Sequence, residues 1–256
     1  MTLDQYRRGL GTALSFTLFG LGGLVIGCVI APALRLCVRD PARRRYLARE
    51  LVGHVFRLFI GLMRLLGVLD YRFDGISRLQ TRPGRLILAN HPSLIDVVFL
   101  LGYVPQADCI IKGRLAQNPF TRGPIRAAGY ITNCEPDAVL DAARQSLALG
   151  NSLILFPEGT RTHPGRPLKF RRGAANIALR TGAQITPVLI RCRPTTLTRG
   201  EPWYHIPPRK VHIALQVQDD LPVARETDQP TSVRARHLTR ELSDYFNHEL
   251  EHFHHA

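Results

Sequence analysis

The chain has 256 residues, enough for one large α/β domain with a substantial core, and its 34 Lys+Arg outnumber 20 Asp+Glu to give a formal charge of +14. Only three of the basic residues are lysines (Lys112, Lys169 and Lys210), and this balance points to an anionic partner such as a lipid headgroup or a phosphorylated substrate. No RNA-recognition aromatic motif, zinc finger or helix-turn-helix pattern accompanies the charge, which argues against nucleic acid, and five scattered cysteines without a C-x-x-C pair (Cys28, Cys37, Cys109, Cys134, Cys192) argue against a disulfide scaffold or zinc site and fit a reducing compartment.

Residues Gly9 to Leu34 carry no charge, a longer run than the ~20 apolar residues that span a bilayer. It is too long for the apolar core of a signal peptide, and basic residues from Arg35 to Arg49 follow directly. It therefore reads as a retained membrane anchor, spanning or re-entrant. Arg7 and Arg8 precede the run, whereas Arg35, Arg39, Arg43, Arg44, Arg45 and Arg49 follow it. The positive-inside rule thus places the downstream chain on the cytoplasmic side of the inner membrane. Gly23 and Gly27 have G-x-x-x-G spacing, but glycine is common in such segments and the spacing is read as incidental. A second apolar segment, His54 to Leu69, carries Arg57 and Arg64 two helical turns apart. This suits either an interfacial helix under anionic headgroups or a core helix with snorkelling arginines. The expected division is anchoring helices over 1–70 and a globular domain over 71–256.

From Tyr71 onward strand and helix signals alternate. Strands are predicted at Arg85–Ala89, Cys109–Lys112, Ser152–Phe156, Thr186–Arg191 and Val211–Val217. A helix between Asn133 and Gly150 has Pro136 in its first turn and a stripe of Val139, Leu140, Ala143 and Leu147. Another runs from about Arg172 to Thr181 and stops at Gly182. Residues Ser232 to Phe253 read as an amphipathic C-terminal helix. The pattern predicts an α/β fold, with a mixed, largely parallel sheet covered by helices and preceded by N-terminal membrane helices. The tail histidines His248, His252, His254 and His255 lack a partnering Glu-x-x pattern and read as a solvated helix end.

The strand Leu86–Ala89 opens into Asn90-His91-Pro92, and Asp96 sits five residues beyond His91 within a second apolar run. Five residues turn an ideal helix by about 500°, so the two side chains meet only if His91 lies in the loop and a helix begins near Pro92. An aspartate bonded to one ring nitrogen fixes the tautomer and makes the other nitrogen a base. There is no G-x-S-x-G serine elbow. The hydroxyl to be deprotonated then belongs to the substrate, which describes acyl transfer to an alcohol. Taken alone, His91 and Asp96 read as a helix cap and a buried polar pair rather than as a catalytic pair.

The strand before Phe156 also opens into a polar turn, Phe156-Pro157-Glu158-Gly159-Thr160-Arg161, as ligand sites do at the carboxyl edge of an open α/β sheet. Gly159 lets the backbone approach a ligand closely, Arg161 can grip a phosphate through two parallel hydrogen bonds, and Glu158 can accept from a hydroxyl or hold Arg161. Together, N-H-P-S-L-I-D and F-P-E-G-T-R at this separation resemble the glycerolipid acyltransferase family, whose best-known members acylate lysophosphatidic acid. An apolar strand bearing Pro187 resembles the family's fourth block, and the resemblance covers roughly Arg72 to Val217.

The resemblance implies a membrane-bound O-acyltransferase with His91 as base and Asp96 as its orienter. It also implies that Asn90, Lys112, Glu158, Gly159, Thr160 and Arg161 bind substrate. The implied donor is acyl-CoA or acyl carrier protein, the partners are membrane lipids, and no metal or other cofactor is needed. Basic residues Lys112, Arg114, Arg122 and Arg126 read either as receivers of anionic substrate groups or as surface charges. One position departs from the family: after Gly129-Tyr130-Ile131-Thr132, where the family has an arginine credited with binding glycerol phosphate, stands Asn133. Either other cations, such as Arg161, Arg171 and Arg172, suffice, or the acceptor is a different lipid. Two further alternatives are a hydrolase that uses water as the acceptor and a non-catalytic lipid-binding protein of the same fold.

Overall fold

The structure, a computed structural model, describes residues 2–133, 135–223 and 229–253. Cys134, His254 and His255 lie outside the described residues. The strands are Leu69–Asp74 (β1), Leu86–Ala89 (β2), Asp108–Lys112 (β3), Ile131–Asn133 (β4), Leu153–Leu155 (β5), Ile185–Arg193 (β6) and Val211–Val217 (β7). They form one sheet in the order β1-β7-β6-β2-β5-β3-β4. β6 and β7 are antiparallel, and every other neighbouring pair is parallel. The mixed, largely parallel sheet and all five expected strands are present. β1 and β4 were not anticipated, for physical reasons. β1 is an edge strand that alternates apolar residues with Asp70, Arg72 and Asp74, so it offers no apolar run. β4 is only three residues long.

The sheet is covered on both faces, and the central strand shows how. Leu86 and Leu88 of β2 pack in one hydrophobic cluster, while Ile87 and Ala89 pack in the other, because successive strand side chains point to opposite faces. The first cluster is completed by helices α8 (Pro136–Ala148), α9 (Gly173–Thr181) and α10 (Thr231–His252), through Leu140, Ala143, Ile177, Leu242 and Phe246. Gly150 and Gly182 follow α8 and α9 at φ +80° and +66°, the left-handed conformation that closes a helix. The second cluster is completed by α3 (Pro41–Leu65) and α5 (Asp96–Tyr103).

α3 settles the two readings of its arginines. Val52, Phe59, Ile60 and Met63 are buried in the main core, Arg57 donates to the Gly102 carbonyl, and Arg64 pairs with Asp70 at 3.0 Å. It is a core helix, and although it precedes residue 70 it shares its core with the sheet. A buried ion pair, Arg49 to Asp108 at 2.8 Å, further ties it to β3.

The uncharged segment forms α1 (Leu3–Val25), a π-helical turn (Ile26–Ile30) and α2 (Ala31–Cys37) in one continuous run. Among the described residues it is the one helix long and apolar enough to cross a membrane. Yet it is docked along the domain. Arg8, 1% exposed, donates to the carbonyls of Pro207, Pro208 and Arg209. Phe16 and Phe19 meet Phe59 edge-on and tilted, at 5.8 and 4.9 Å between ring centres. Gly23 and Gly27 then press against α7 (Pro119–Ala128). A Cβ on Gly23 would lie 1.9 Å from the Phe120 carbonyl oxygen, and one on Gly123 would lie 2.3 Å from the Gly27 Cα. The glycine spacing is therefore a packing face, contrary to the sequence reading. The partner glycine lies on a helix distant in sequence, where no local pattern reveals it.

Alanine at Gly23 or Gly123 is expected to lower stability by about 1–3 kcal/mol, because backbone must move to admit the methyl group. Gly22→Ala and Gly61→Ala, which meet nothing within 4 Å, are expected to be neutral or slightly stabilising. Thermal unfolding of the four variants in one detergent distinguishes the pairs.

Candidate active site

β2 and β5 are parallel neighbours in register, Leu86 opposite Leu153 and Leu88 opposite Leu155. Their carboxyl ends therefore open at the same level of the same edge. The first turn holds His91 and the second holds Phe156 to Arg161.

The helix expected near Pro92 begins four residues later, at Asp96. The intervening donors are committed elsewhere: the Ser93 N–H donates to Asp96 Oδ2 at 2.7 Å and the Leu94 N–H to the Leu197 carbonyl at 3.2 Å. This tight turn carries the carboxylate beneath the imidazole, where His91 Nδ1 and Asp96 Oδ2 stand 3.0 Å apart. Asp96 is fully buried, whereas the His91 side chain keeps 17% of its surface exposed. Burial pushes the Asp96 carboxyl above its ordinary range, and the bonds from His91 and Ser93 offset only part of that rise. With Nδ1–H directed at Asp96, Nε2 keeps its lone pair and has no hydrogen-bond partner among the described residues. The ring stacks on Phe156 with centres 4.2 Å apart.

The second turn grips the first. Glu158 Oε1 accepts from the His91 backbone N–H at 3.0 Å and from the Thr162 hydroxyl at 2.6 Å. The Thr162 N–H donates to the His91 carbonyl at 2.7 Å, and the Thr162 Oγ1 lies 3.1 Å from the His91 N–H. Burial raises the Glu158 carboxyl, and these donors pull it back. Glu158 thus bonds to the histidine loop and not to Arg161. Thr162 escaped the sequence analysis because it lies one residue past the recognised block.

Arg161 Nη1 donates to the carbonyls of Leu197 and Thr198 at 2.7 and 2.8 Å, which holds the loop after β6 against the site. Leu197 has φ +53°, a strained conformation for a branched residue, and it is kept there by Arg161 and the Leu94 N–H. Asn90 is buried and uses its amide on both backbone groups of Ile190, at 2.7 Å each, which fastens β2 to β6. Gly159 has φ +66°, and a Cβ there would stand 2.9 Å from Arg171 Nε, so glycine lets that guanidinium lie on the turn. The Thr160 side chain makes no hydrogen bond among the described residues. Two buried side-chain atoms lack a partner among them, Ser93 Oγ and Asp96 Oδ1, and both belong to this turn.

Lys112 ends β3 beside Asn133 of β4. Partial burial depresses its pKa, and so do the charges of Arg114, Arg199, Arg161 and Arg171, so five cations share this edge. Burial and Arg114 likewise depress Arg161. Arg199, which no motif singles out, reaches this edge on the loop that Arg161 holds. Arg122 and Arg126, grouped with Lys112 by sequence, lie instead against the N-terminal helix.

Comparison with known proteins adds an independent line. An acyltransferase family model matches residues 70–191. The 1-acyl-sn-glycerol-3-phosphate acyltransferase of Helicobacter pylori is 34% identical over 113 residues, covering 41% of this chain and 48% of that protein. The protein of that name from Pseudomonas aeruginosa is 27% identical over 197 residues, covering 71% of this chain and 70% of that protein. The one from Cocos nucifera is 31% identical over 148 residues, covering 55% and 46%. The chain thus spans about half the length of two of these relatives. In fold it resembles the crystal structure of the 1-acyl-sn-glycerophosphate (LPA) acyltransferase PlsC from Thermotoga maritima, with a TM-score of 0.69 and 21% identity over 99% of this chain and 100% of that one. The His91–Asp96 pair and the Glu158–Arg161 turn both lie inside the span that matches the acyltransferase family model, so the likeness to these acyltransferases includes the site.

Proposed function

We propose that the protein transfers a fatty acyl group from a thioester, acyl-CoA or acyl carrier protein, to the free hydroxyl of a 1-acyl-glycerol-3-phosphate-type lysophospholipid. The observation that carries this reading is the His91–Asp96 hydrogen bond at an edge crowded with cations. His91 Nε2 takes the proton of the acceptor hydroxyl, and Asp96 holds the ring in the tautomer that allows it. The alkoxide attacks the thioester carbonyl, an ester bond forms, and the thiolate leaves with the proton that the imidazolium returns. Glu158 and Thr162 keep His91 in place, and the exposed face of the turn at Gly159 and Thr160 receives the acceptor. Lys112, Arg114, Arg171 and Arg199 supply the positive charge that Asn133 does not, which supports an acceptor bearing phosphate despite that substitution.

The apolar run of α1 and α2 supports a membrane location, and the arginines that follow it support the cytoplasmic side. Its packing against α3 and α7 favours a helix immersed at one face. A perpendicular span would draw Arg122 and Arg126 of α7 towards the hydrocarbon.

His91→Ala is expected to cut turnover by on the order of 10²–10⁴-fold with folding intact. Mass spectrometry of the products is the check: an acylated lipid supports transfer, whereas free fatty acid would mean water is the acceptor. Asp96→Asn separates catalysis from stability. Because its pKa is raised, burying Asp96 penalises folding as it ionises; the penalty is absent below the unfolded value, where the carboxyl is protonated in both states, grows as the pH rises from there, and is complete once the pH exceeds the folded value. Asparagine removes the charge with little change of shape, but its amide N–H can donate to the ring nitrogen and so admits the wrong tautomer. Near neutral pH the variant is expected to melt at or above the wild-type temperature, the difference vanishing in acid, while turnover falls ~10³-fold or more.

Arg199→Ala is expected to raise KM for the phosphorylated acceptor about tenfold with kcat little changed, since it removes binding charge without touching the base. The same kinetics with an uncharged monoacylglycerol acceptor should show no such rise.

A further inference from the structure

Three arginines gather away from the catalytic edge, two of which the sequence reading left between binding an anionic substrate group and surface charge. Arg35 on α2 and Arg122 and Arg126, one turn apart on α7, line a cleft of about 290 Å³ between the two helices. None of the three side chains has a hydrogen bond or ion pair among the described residues. Several other arginines are paired with carboxylates, as Arg8 with Asp4, Arg49 with Asp108, Arg78 with Asp219 and Arg85 with Asp220. Three uncompensated like charges around one hollow call for an anion.

The hollow is built into the backbone. The N-terminal helix leaves α-helical geometry for the π-helical turn Ile26–Ile30 at this level, and Gly27 closes on Gly123 at the floor of the cleft. π-Helical turns inside α-helices recur at functional sites. The same helices expose apolar side chains outside the cleft lining: Val25, Val29, Leu36 and Phe120. Guanidinium groups match a phosphate through paired N–H bonds, and exposed apolar side chains match acyl chains. The site is also distinct from the catalytic edge. None of Lys112, Arg114, Arg161, Arg171 and Arg199 lines the cleft, and none of the cleft arginines acts on Lys112 or Arg161.

We propose that the cleft between α2 and α7 binds the phosphate of an anionic phospholipid through Arg35, Arg122 and Arg126, as a lipid site separate from the one that serves His91. The phospholipid is a resident ligand that orients the helical run on an anionic membrane, and it is not consumed. This proposal does not depend on the acyl-transfer chemistry.

Cys28 lines the cleft and is exposed and free, while Cys37 is exposed and free on the same helical run outside it. The full chain in neutral detergent micelles is alkylated with N-ethylmaleimide, and each cysteine is followed by mass spectrometry. Doping the micelles with phosphatidic acid or phosphatidylglycerol is expected to slow Cys28 several-fold and leave Cys37 unchanged. Phosphatidylcholine and inorganic phosphate alone are expected to protect neither. Arg122→Ala/Arg126→Ala should raise the lipid concentration for half-protection roughly thirtyfold, about five- to sixfold for each arginine. Arg39→Ala/Arg43→Ala, which removes equal charge outside the cleft, should leave it unchanged. Arg35→Ala, on the opposite wall, should act in the same direction as the α7 variant, so a disturbance confined to α7 is recognised. Protection by phosphatidylcholine, by inorganic phosphate alone, or equally at Cys37 would overturn the proposal, as would unchanged protection in both cleft variants.

Discussion

Two loops at the carboxyl ends of adjacent parallel strands hold each other by their backbones, and the site depends on that reciprocal grip. The His91 N–H is received by Glu158 and Thr162, and the His91 carbonyl takes the Thr162 N–H in return. The register between β2 and β5 brings the turns to one level, so the grip closes without a long linker. A carboxylate buried as deeply as Glu158 is tolerable because donors from both turns satisfy it. The second turn therefore acts on the chemistry partly by fixing where the imidazole stands, and Phe156 continues the same support through the ring face.

Ten of the basic residues fall into three distinct settings. Arg8, Arg49 and Arg161 are turned inward and spend their donors on carbonyls or a buried carboxylate, fastening the N-terminal helix, α3 and the loop after β6. Lys112, Arg114, Arg171 and Arg199 stay exposed beside the site. Arg35, Arg122 and Arg126 surround the cleft on the N-terminal helix. Guanidinium suits all three tasks, because its planar fork bonds carbonyls, carboxylates and phosphates and keeps its charge when partly desolvated. That versatility accounts for a chain with so few lysines.

The N-terminal region is joined to the sheet by side-chain and backbone packing. α3 supplies core side chains, and the glycine contact between α1 and α7 brings two backbones together where any side chain would intrude. The apolar helix and the catalytic edge consequently move as parts of one body.

The sequence by itself determined the strands that are apolar throughout, the helices that carry a stripe and a glycine stop, and the pairing of His91 with Asp96. Each of these is written in local periodicity or in a short motif, and local backbone geometry is enough to realise it. What only the tertiary structure decided depends on partners remote in the chain. The edge strand β1 and the three-residue β4 are held by neighbours in the sheet and not by their own composition. The late start of α5 follows from a carbonyl at Leu197, the fastening role of Asn90 from the backbone of Ile190, and the use of Gly23 and Gly27 from Gly123. The three groups of arginines are alike in sequence because charge has no periodicity; burial and the nearest available anion or carbonyl tell them apart, and both exist only once the chain has folded.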